Sequence, residues 1–392
     1  METETSVKHN SIVRRRFLQG VAAATAVTSV RAQDDPLRFG MIGVGKRGTA
    51  HLGRLIERSD TAVQAVCDID AAARDTAQSA AQADNPRSYS DYRDLLRQVD
   101  VDAVVIATPC YLHAEMAAAA LKAGKHVFCE KPLAISADQV QLVLDAARDS
   151  NAVFQIGQQS RNSPHMQEVV REIHETGLIG APLVIKAQRH GTPSRPGTRR
   201  EGGSGQQRRF PGWYNDVKLS GDLIVENAIH NLDVCNWLAG SRPASVYGHG
   251  KRYLPEPMPA GTVMMDGFSV EYVYQNDMHL DYSQLYLHPR KLKKLPNGMW
   301  FVVYGEKGGI ELTYGSWTFY DMYGDAEPVE HAAEDIDLTE AAHNDFLRAI
   351  REGRKPVADI ETAAIAALTG IMGRESIYQR RMVTWDELGV SI

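Results

Sequence analysis

From Leu37 to about Gly157, short apolar runs alternate with longer segments of helical periodicity. The runs are RFGMIG, AVQAVCD, DAVVIAT, HVFCE and VFQIG. Most of their residues are apolar, including those that would face opposite sides of a strand. Strands of this kind, joined by helices, form a parallel sheet that is covered on both faces. The sequence therefore predicts an α/β fold that begins with a doubly wound domain over residues 37–157.

A glycine-rich turn follows the first of these strands. Gly43, Gly45 and Gly48 fit the pattern G-x-G-x-x-G, and Asp68 ends the next strand about 20 residues later. The first glycine permits a tight turn, the second lets the backbone approach a pyrophosphate, and the third allows close helix–strand packing. The helix that opens at Lys46 supplies amide donors. This context predicts a Rossmann dinucleotide site.

Two side chains bear on which dinucleotide is bound. The carboxylate of Asp68 would accept hydrogen bonds from ribose hydroxyls and repel a 2′-phosphate, which favours NAD. Arg47 points the other way, because a guanidinium in this turn could neutralise the extra phosphate of NADP. We expect NAD, with NADP as the alternative.

The first 32 residues resemble an export signal. Arg14, Arg15 and Arg16 precede the weakly apolar run GVAAATAVTSV, and Ala32 offers a small residue for cleavage. A buried helix or a membrane anchor is the alternative, but the run is shorter than the roughly 20 apolar residues that a span requires. The paired arginines predict the twin-arginine export machinery as a partner, a periplasmic or otherwise exported protein, and no stable membrane anchor.

Export in the folded state would require a tightly bound cofactor, because no nicotinamide pool is available outside the cytoplasm. Gln33 to Pro36, just after the expected cut, would then form a short arm over the adenine side of the cofactor.

The chain carries a formal net charge of −6, which argues against nucleic acid as a partner. The four cysteines lie in apolar or helical contexts without zinc spacing, so we expect buried free thiols and no metal.

The pattern changes after Gly157. Residues 158–335 contain extended runs that alternate apolar and polar residues, and these predict an α/β domain with a large, mostly antiparallel open sheet. Residues 336–392 return to helices, which we expect to pack back on the first domain. An open sheet face predicts a homodimer or homotetramer.

Two further motifs identify a family. Thr108 and Pro109 precede His113, and Glu130, Lys131 and Pro132 form an EKP tripeptide at a strand end. Together with the glycine turn, they make the chain resemble the Gfo/Idh/MocA oxidoreductases, over nearly the whole sequence after residue 37.

The resemblance implies roles for these residues. Lys131 would lie beside the nicotinamide and contact the reacting hydroxyl, with a pKa that falls when the lysine is buried near that cationic ring. Glu130 would hold that lysine and the nicotinamide ribose, and the Lys131–Pro132 bond is often cis in the family. Thr108, Pro109 and His113 would contact the cofactor.

The segment SGDLIVENAIHNLDVCNWLAG carries the second predicted cluster. Glu226 and His230 are four residues apart and would share one face of a single helix. In the family, an aspartate usually stands where this chain has Glu226, and the histidine is the general acid/base. Asp233 matches a family aspartate near the substrate, which we interpret as structural or as a support behind the residues that contact the substrate.

Other candidates surround these. Gln159 and Arg161 match family positions near the cofactor and the substrate. Arg189 and His190 end a strand that borders the cleft. Trp213 and Tyr214 either stack on a sugar or anchor a loop. The preceding loop either closes over the substrate or is solvated, and it contains Arg195, Arg199, Arg200, Arg208 and Arg209.

Three hypotheses about function remain open at this point. The first is an exported NAD(P)-dependent oxidoreductase that moves hydride between a sugar or cyclic polyol and a tightly bound nicotinamide. The second is a redox-neutral glycosidase, lyase or epimerase that oxidises a sugar transiently. The third is a binding protein without activity, since a fold alone does not establish catalysis.

Overall fold

The computed structural model describes residues 35–98, 100–192, 213–254, 264–292, 298–325 and 327–392. The predicted signal peptide and the first two residues of the expected arm, Gln33 and Asp34, lie outside the described residues. The same holds for the five arginines of the loop between Thr192 and Trp213. Predictions about these segments therefore stay predictions.

The first domain alternates strands and helices without exception. Its elements are β1 Leu37–Ile42, α1 Lys46–Ile56, β2 Thr61–Cys67, α2 Ala71–Ala80, β3 Arg87–Tyr89, α3 Tyr92–Gln98, β4 Ala103–Ile106, α4 His113–Lys122, β5 His126–Cys129, α5 Ala137–Arg148 and β6 Phe154–Ile156. The strands form one parallel sheet in the order β3-β2-β1-β4-β5-β6. This is the order of a Rossmann domain.

Local sequence explains this regularity. All four residues of β4 and the last three of β5 are buried, as their continuous apolar runs predict for a sheet covered on both faces. Ser136 caps α5 by accepting a hydrogen bond from the backbone amide of Gln139. The predicted doubly wound sheet is confirmed.

The remaining elements form the second domain and the C-terminal helices. They are α6 Pro164–His174, β7 Pro182–His190, α7 Val217–Ser220, α8 Asp222–Glu226, α9 Ile229–Ala239, β8 Pro243–Lys251, β9 Gly267–Tyr274, β10 His279–Leu285, β11 Gly298–Gly305, β12 Gly308–Leu312, β13 Ser316–Asp321, β14 Glu330–Ala332, α10 Leu338–Glu352, α11 Ile360–Gln379 and β15 Val383–Thr384. Within the described ranges, nine strands form one sheet in the order β14-β13-β12-β11-β7-β10-β9-β8-β15. Only β7 and β10 pair in parallel there, which confirms the mostly antiparallel sheet.

The large sheet has one covered face and one open face. Ile185, Tyr282 and Phe301 point into the core, where α9 and α11 pack. On the opposite face, Tyr304 and Tyr247 are 44 % and 52 % exposed. Alternation along each strand produces this division, because successive side chains point to opposite faces.

The helix α10 packs on the Rossmann domain although it lies far along the chain. Its Phe346 and Leu347 belong to the same apolar cluster as Phe39 and Phe128 of the parallel sheet. Asp337 caps this helix by accepting from the amides of Thr339 and Glu340. The last helices therefore help to build the edge of the sheet where the candidate site lies.

Two other observations concern the chain as a whole. The four cysteines are buried free thiols, as expected from their sequence contexts. Among the helices of the described ranges, none combines the length and the apolar character needed to cross a membrane.

Candidate active site

The glycine turn after β1 has the geometry that a dinucleotide requires. Gly43 has φ +86°, and a Cβ there would lie 2.7 Å from the carbonyl oxygen of Ala107. A Cβ on Gly48 would overlap the carbonyl oxygen of Gly43, whereas one on Gly45 would meet nothing within 4 Å. The open side of Gly45, at the start of α1, leaves room for a pyrophosphate against backbone amides.

Asp68 is held in place at the end of β2. Its carboxylate accepts hydrogen bonds from the backbone amides of Val44 (3.0 Å) and Asp70 (2.9 Å). The first of these bonds ties the acidic residue directly to the glycine turn. Lys46 is exposed at the first position of α1. Both residues are therefore placed as the dinucleotide prediction requires.

Arg47 corrects one part of the prediction. Its Nε donates to Oε1 of Glu130 (2.8 Å), and a terminal nitrogen donates to Oγ1 of Thr339 (3.3 Å). Glu130 follows β5 and Asp68 follows β2, so three strand spacings, or about 14 Å, separate the two strand ends. Arg47 is thus committed to Glu130, and the argument for NADP that rested on it does not hold.

Glu130 is the centre of a buried hydrogen-bond network. Besides Arg47, its Oε1 accepts from Nε2 of His51 (2.9 Å) and Nε2 of Gln159 (3.1 Å), and its Oε2 accepts from the amide of Lys131 (3.2 Å). Burial opposes ionisation, but the hydrogen bond from His51 and the neighbouring positive charges outweigh it and lower the pKa of Glu130. Glu130 is therefore a fixed anion, and the amide of Gln159 supports it.

Lys131 leaves the strand through a cis bond to Pro132, as the resemblance implies. Its Nζ donates to Oε1 of Glu226 (2.8 Å) and to the carbonyl oxygen of Glu226 (2.7 Å). Burial lowers the pKa of Lys131, but the carboxylate of Glu226 raises it, and the net shift is upward. This chain's own groups therefore shift the pKa in the direction opposite to the expected lowering, because the fold brings a carboxylate to the ammonium group. The effect of a cationic nicotinamide ring on this pKa stays a prediction.

Glu226 and His230 lie on two helices and not on one. The single helix predicted for this segment breaks at Gly221, which has φ +82°, and again after Glu226, so that α8 ends at Glu226 and α9 begins at Ile229. The interpretation of a single helix face is therefore corrected. Spacing alone does not show a break where no proline stands.

His230 has no hydrogen-bond partner for its ring within the described residues and is half-buried. Burial and the positive charge of Lys131 lower the pKa of His230 to about 3. The imidazole is therefore neutral near pH 7 and retains a free nitrogen to accept a proton.

Glu226 also has an unused oxygen. Its Oε2 is buried and has no hydrogen-bond partner among the described side chains and backbone groups. The phenol of Tyr214 lies beside it, and burial together with the charge of Glu226 raises the pKa of Tyr214. Trp213 meets Tyr214 edge to face, with ring centroids 5.7 Å apart. Whether these two aromatic residues contact a substrate stays a prediction.

Arg161 and Asp233 are joined to each other. The guanidinium donates to both carboxylate oxygens at distances from 2.8 to 3.1 Å and lies over the ring of Trp237. Asp233 is almost fully buried. The structure thus gives the pair a role in packing α9 against the segment after β6, which agrees with the structural role considered for Asp233. Contact of Arg161 with a substrate stays a prediction.

His113 has a different environment from the one predicted. Its ring is buried between the carbonyl oxygens of Pro132 (2.7 Å, from Nδ1) and Thr108 (2.8 Å, from Nε2). Burial lowers the pKa of His113, so a neutral ring donates to only one of these oxygens. His113 therefore connects the residue after the cis bond to the end of β4, and its contact with the cofactor stays a prediction. Pro109 and Thr108 lie at the end of β4, beside the glycine turn.

The second domain contributes a polar wall. Oδ1 of Asn227 accepts from Nε2 of Gln284 and from the phenol of Tyr286, both at 2.9 Å, and its carbonyl oxygen accepts from Arg189 (3.3 Å). His190 is buried one residue further along β7, with Nε2 at 3.1 Å from Oγ of Ser283. Sequence reasoning missed Asn227, Gln284 and Tyr286, since nothing local distinguishes them from ordinary strand and loop residues.

Comparison with known proteins identifies the family. Residues 37–158 match the model described as "Oxidoreductase family, NAD-binding Rossmann fold", and residues 168–311 match the "GFO/IDH/MocA C-terminal domain". The chain belongs to the Gfo/Idh/MocA oxidoreductase family. Its first domain is an NAD-binding Rossmann fold, in agreement with the glycine turn and Asp68.

Individual relatives match this family member at about a third identity or less. An uncharacterized oxidoreductase, YrbE, of Bacillus subtilis is 31% identical over 54% of this chain and 56% of its own length. An inositol 2-dehydrogenase of Salmonella typhimurium is 32% identical over 59% of this chain and 61% of its own. The chain thus spans little more than half of these relatives. Levoglucosan dehydrogenase, solved with NADH and levoglucosan, shares the fold with a TM-score of 0.74 at 22% identity, over 89% of this chain and 99% of its own.

Within the described ranges, no three histidine, cysteine, aspartate or glutamate side chains converge as a metal site would require. The candidate site instead consists of Lys131, Glu226 and His230, at the carboxyl edge of the parallel sheet.

Proposed function

We propose that the protein is an NAD-dependent dehydrogenase that oxidises a hydroxyl group of a sugar or cyclic polyol. One observation carries the proposal. An ammonium group fixed by Glu226 (2.8 Å) stands near the neutral, unpartnered ring of His230, next to an NAD-binding turn. A cation that stabilises developing negative charge on oxygen and a base for its proton are what alcohol oxidation requires.

Each group of site residues has a separate role in the proposed reaction. Gly43, Gly45, Gly48 and Asp68 would hold the dinucleotide, which accepts hydride when bound. Lys131 keeps its proton and donates a hydrogen bond to the substrate oxygen. The ring of His230 accepts the hydroxyl proton.

The polar wall supports a polyhydroxy substrate. Oδ1 of Asn227 accepts two hydrogen bonds, which fixes the orientation of the side-chain amide. Its NH₂ group therefore points away from Gln284 and Tyr286. Arg189 adds donors on the same side. Hydroxyl groups on a ring pair well with fixed donors of this kind. The relatives named for inositol and levoglucosan act on compounds of that class by their names, which is consistent with the proposal.

The test is NADH formation by the purified protein, measured as absorbance with NAD⁺ and a panel containing myo-inositol, scyllo-inositol and levoglucosan. We expect Lys131→Ala to lower kcat by at least about 100-fold, since it removes the donor to the reacting oxygen. Lys122→Ala, an exposed residue at the end of α4, is the matched control and should leave kcat unchanged.

Two results would contradict the proposal. One is near-native turnover by Lys131→Ala on a confirmed substrate. The other is release of an aglycone from a glycoside with no net NADH, which would support redox-neutral chemistry instead.

We also propose export by the twin-arginine route. The support is the order of Arg14 to Arg16, the apolar run and Ala32 in the sequence. The associated prediction of a tightly bound NAD is argued at the scale of the whole molecule below.

A further inference from the structure

Two buried histidines connect the C-terminal helices to Glu130. His51 of α1 is fully buried, and its Nε2 lies 2.9 Å from Oε1 of Glu130. Its Nδ1 lies 2.8 Å from Nε2 of His343, which comes from α10 and is only 2% exposed. Phe128 packs edge-on against both rings, with centroids 5.2 Å away in each case. Water is therefore excluded from both hydrogen bonds.

The donor and acceptor capacities of Glu130, His51 and His343 determine which group donates each hydrogen bond. An ionised carboxylate only accepts, so Nε2 of His51 must carry a proton toward Glu130. In a neutral His51, Nδ1 is then the acceptor, and Nε2 of His343 must donate to it. Burial lowers the pKa of His343 well below its usual range, so this ring is neutral and, with its proton on Nε2, its Nδ1 carries none. That Nδ1 is buried without a partner among the described residues, as an unprotonated nitrogen would be.

We propose that His343 is a positioning residue which, through His51, fixes the carboxylate of Glu130 and with it the ammonium group of Lys131. Without the donor from His343, Nδ1 of His51 is buried without a hydrogen bond, and only Glu130 still holds the ring. The ring of His51 is then free to tilt, and its hydrogen bond to Oε1 of Glu130 weakens. The carboxylate that accepts from the amide of Lys131 would shift, and the lysine with it. The consequence for turnover rests on the proposed function, whereas the order of donors does not.

The first measurement is independent of substrate. In ¹⁵N-histidine NMR spectra of the NAD⁺-loaded protein, with signals assigned from His51→Gln and His343→Gln, we expect a protonated Nε2 and an unprotonated Nδ1 for both rings. In His343→Leu, His51 should keep its proton on Nε2, and the ¹⁵N signal of its Nδ1 should move toward that of a nitrogen that accepts no hydrogen bond. A protonated Nδ1 on His51 in the unmutated protein would overturn the proposal.

The second measurement is kinetic and uses three variants. His343→Leu should lower kcat about tenfold, the effect of losing one hydrogen bond that holds a charged group. The dissociation constant for NAD⁺ should stay within about threefold, because the glycine turn and Asp68 do not contact His343. His343→Gln keeps an N–H donor and should restore kcat to within about threefold. His165→Leu, at another buried histidine that bonds Ser163 and Thr313, is the control and should leave kcat unchanged.

The outcomes separate positioning from simple packing. Equal loss of kcat in the Leu and Gln variants, or a matching loss of NAD⁺ affinity, would contradict the proposal. If His343→Leu fails to fold, the NMR spectrum of the unmutated protein and the His343→Gln kinetics still decide it. If no polyol is turned over at all, the proposed function fails, while the tautomers of His51 are still read from the spectrum.

Discussion

Lys131 keeps its proton in this protein because of one carboxylate. The ammonium group is buried, and burial alone would lower the pKa of Lys131 below its ordinary value. Glu226 reverses this shift through a 2.8 Å ion pair. The glutamate that replaces the family's aspartate thus lies against the lysine, with its second oxygen unused.

The pH dependence of turnover should therefore respond to the charge of Glu226. In Glu226→Gln the ion pair is lost, the pKa of Lys131 falls, and the alkaline limb of the kcat profile should move to lower pH. Glu226→Asp keeps the charge and should retain more of the original limb. The measurement is kcat across neutral and alkaline pH for the three proteins. An alkaline limb at the same pH in the Gln variant would show that Lys131 is not the group that titrates.

At the scale of elements, α8 and α9 depend on a strained turn. Asp222 adopts φ +75°, which is unfavourable for a residue with a side chain. Its buried carboxylate compensates by accepting from the amides of Leu223 (2.7 Å) and Met265 (2.8 Å), and from the phenol of Tyr378 (2.6 Å) on α11. The start of the helix that carries Glu226 is thus fixed from two other parts of the second domain.

Removing the phenol should weaken this turn. We expect Tyr378→Phe to lower the free energy of unfolding by about 1–3 kcal/mol, since a buried carboxylate oxygen loses its donor. Urea unfolding followed by circular dichroism measures the change. Tyr323→Phe, at a side chain that is 90% exposed, is the matched control and should be within about 0.5 kcal/mol of the original. Equal stability of the two variants would show that the bond to Asp222 contributes nothing.

For the whole molecule, the open face of the nine-stranded sheet is the candidate surface for self-association. Val302 and Tyr304 of β11 face outward beside Val184 of β7, and an ion pair joins Lys186 and Asp281 within the same face. Aromatic and aliphatic side chains interspersed with charges are typical of such interfaces.

We predict a homodimer or homotetramer that Tyr304→Asp converts to monomer. Burying an unpaired carboxylate at the centre of an interface is unfavourable by several kcal/mol. Light scattering coupled to size-exclusion chromatography gives the mass of each species. Leu142→Asp, at an exposed position of α5, is the control and should keep the original mass. A monomeric unmutated protein at micromolar concentration would refute the prediction.

Export in the folded state predicts that NAD travels with the protein. After extensive dilution, mature protein should release about one NAD(H) per chain on denaturation, as identified by mass spectrometry. A separate test addresses export itself. Replacing Arg14, Arg15 and Arg16 by lysine should retain the protein in the cytoplasm, as judged by cell fractionation. Full activation of a nucleotide-free protein by micromolar NAD⁺ would contradict the retained cofactor.

Sequence reasoning succeeded where the determinants are local. Continuous apolar runs located the parallel strands, and Glu130 and Lys131 follow directly from the end of β5. It failed where the partner is distant in the chain. Arg47 meets Glu130, and His343 meets His51 across 292 positions. His51 lies one turn after Gly48 on the buried face of α1 and offered a signal, whereas no local pattern marks His343.

The place of α10 in the fold also determines when the protein can first bind its cofactor during synthesis. Domains generally fold as they leave the ribosome, beginning from the amino terminus. Here the Rossmann sheet needs Phe346 and Leu347 of α10 to complete its core, and the same helix carries His343, which holds the His51 that bonds Glu130. A nascent chain that holds every glycine of the turn therefore still lacks part of its binding edge. Cofactor capture becomes a step that follows the synthesis of α10.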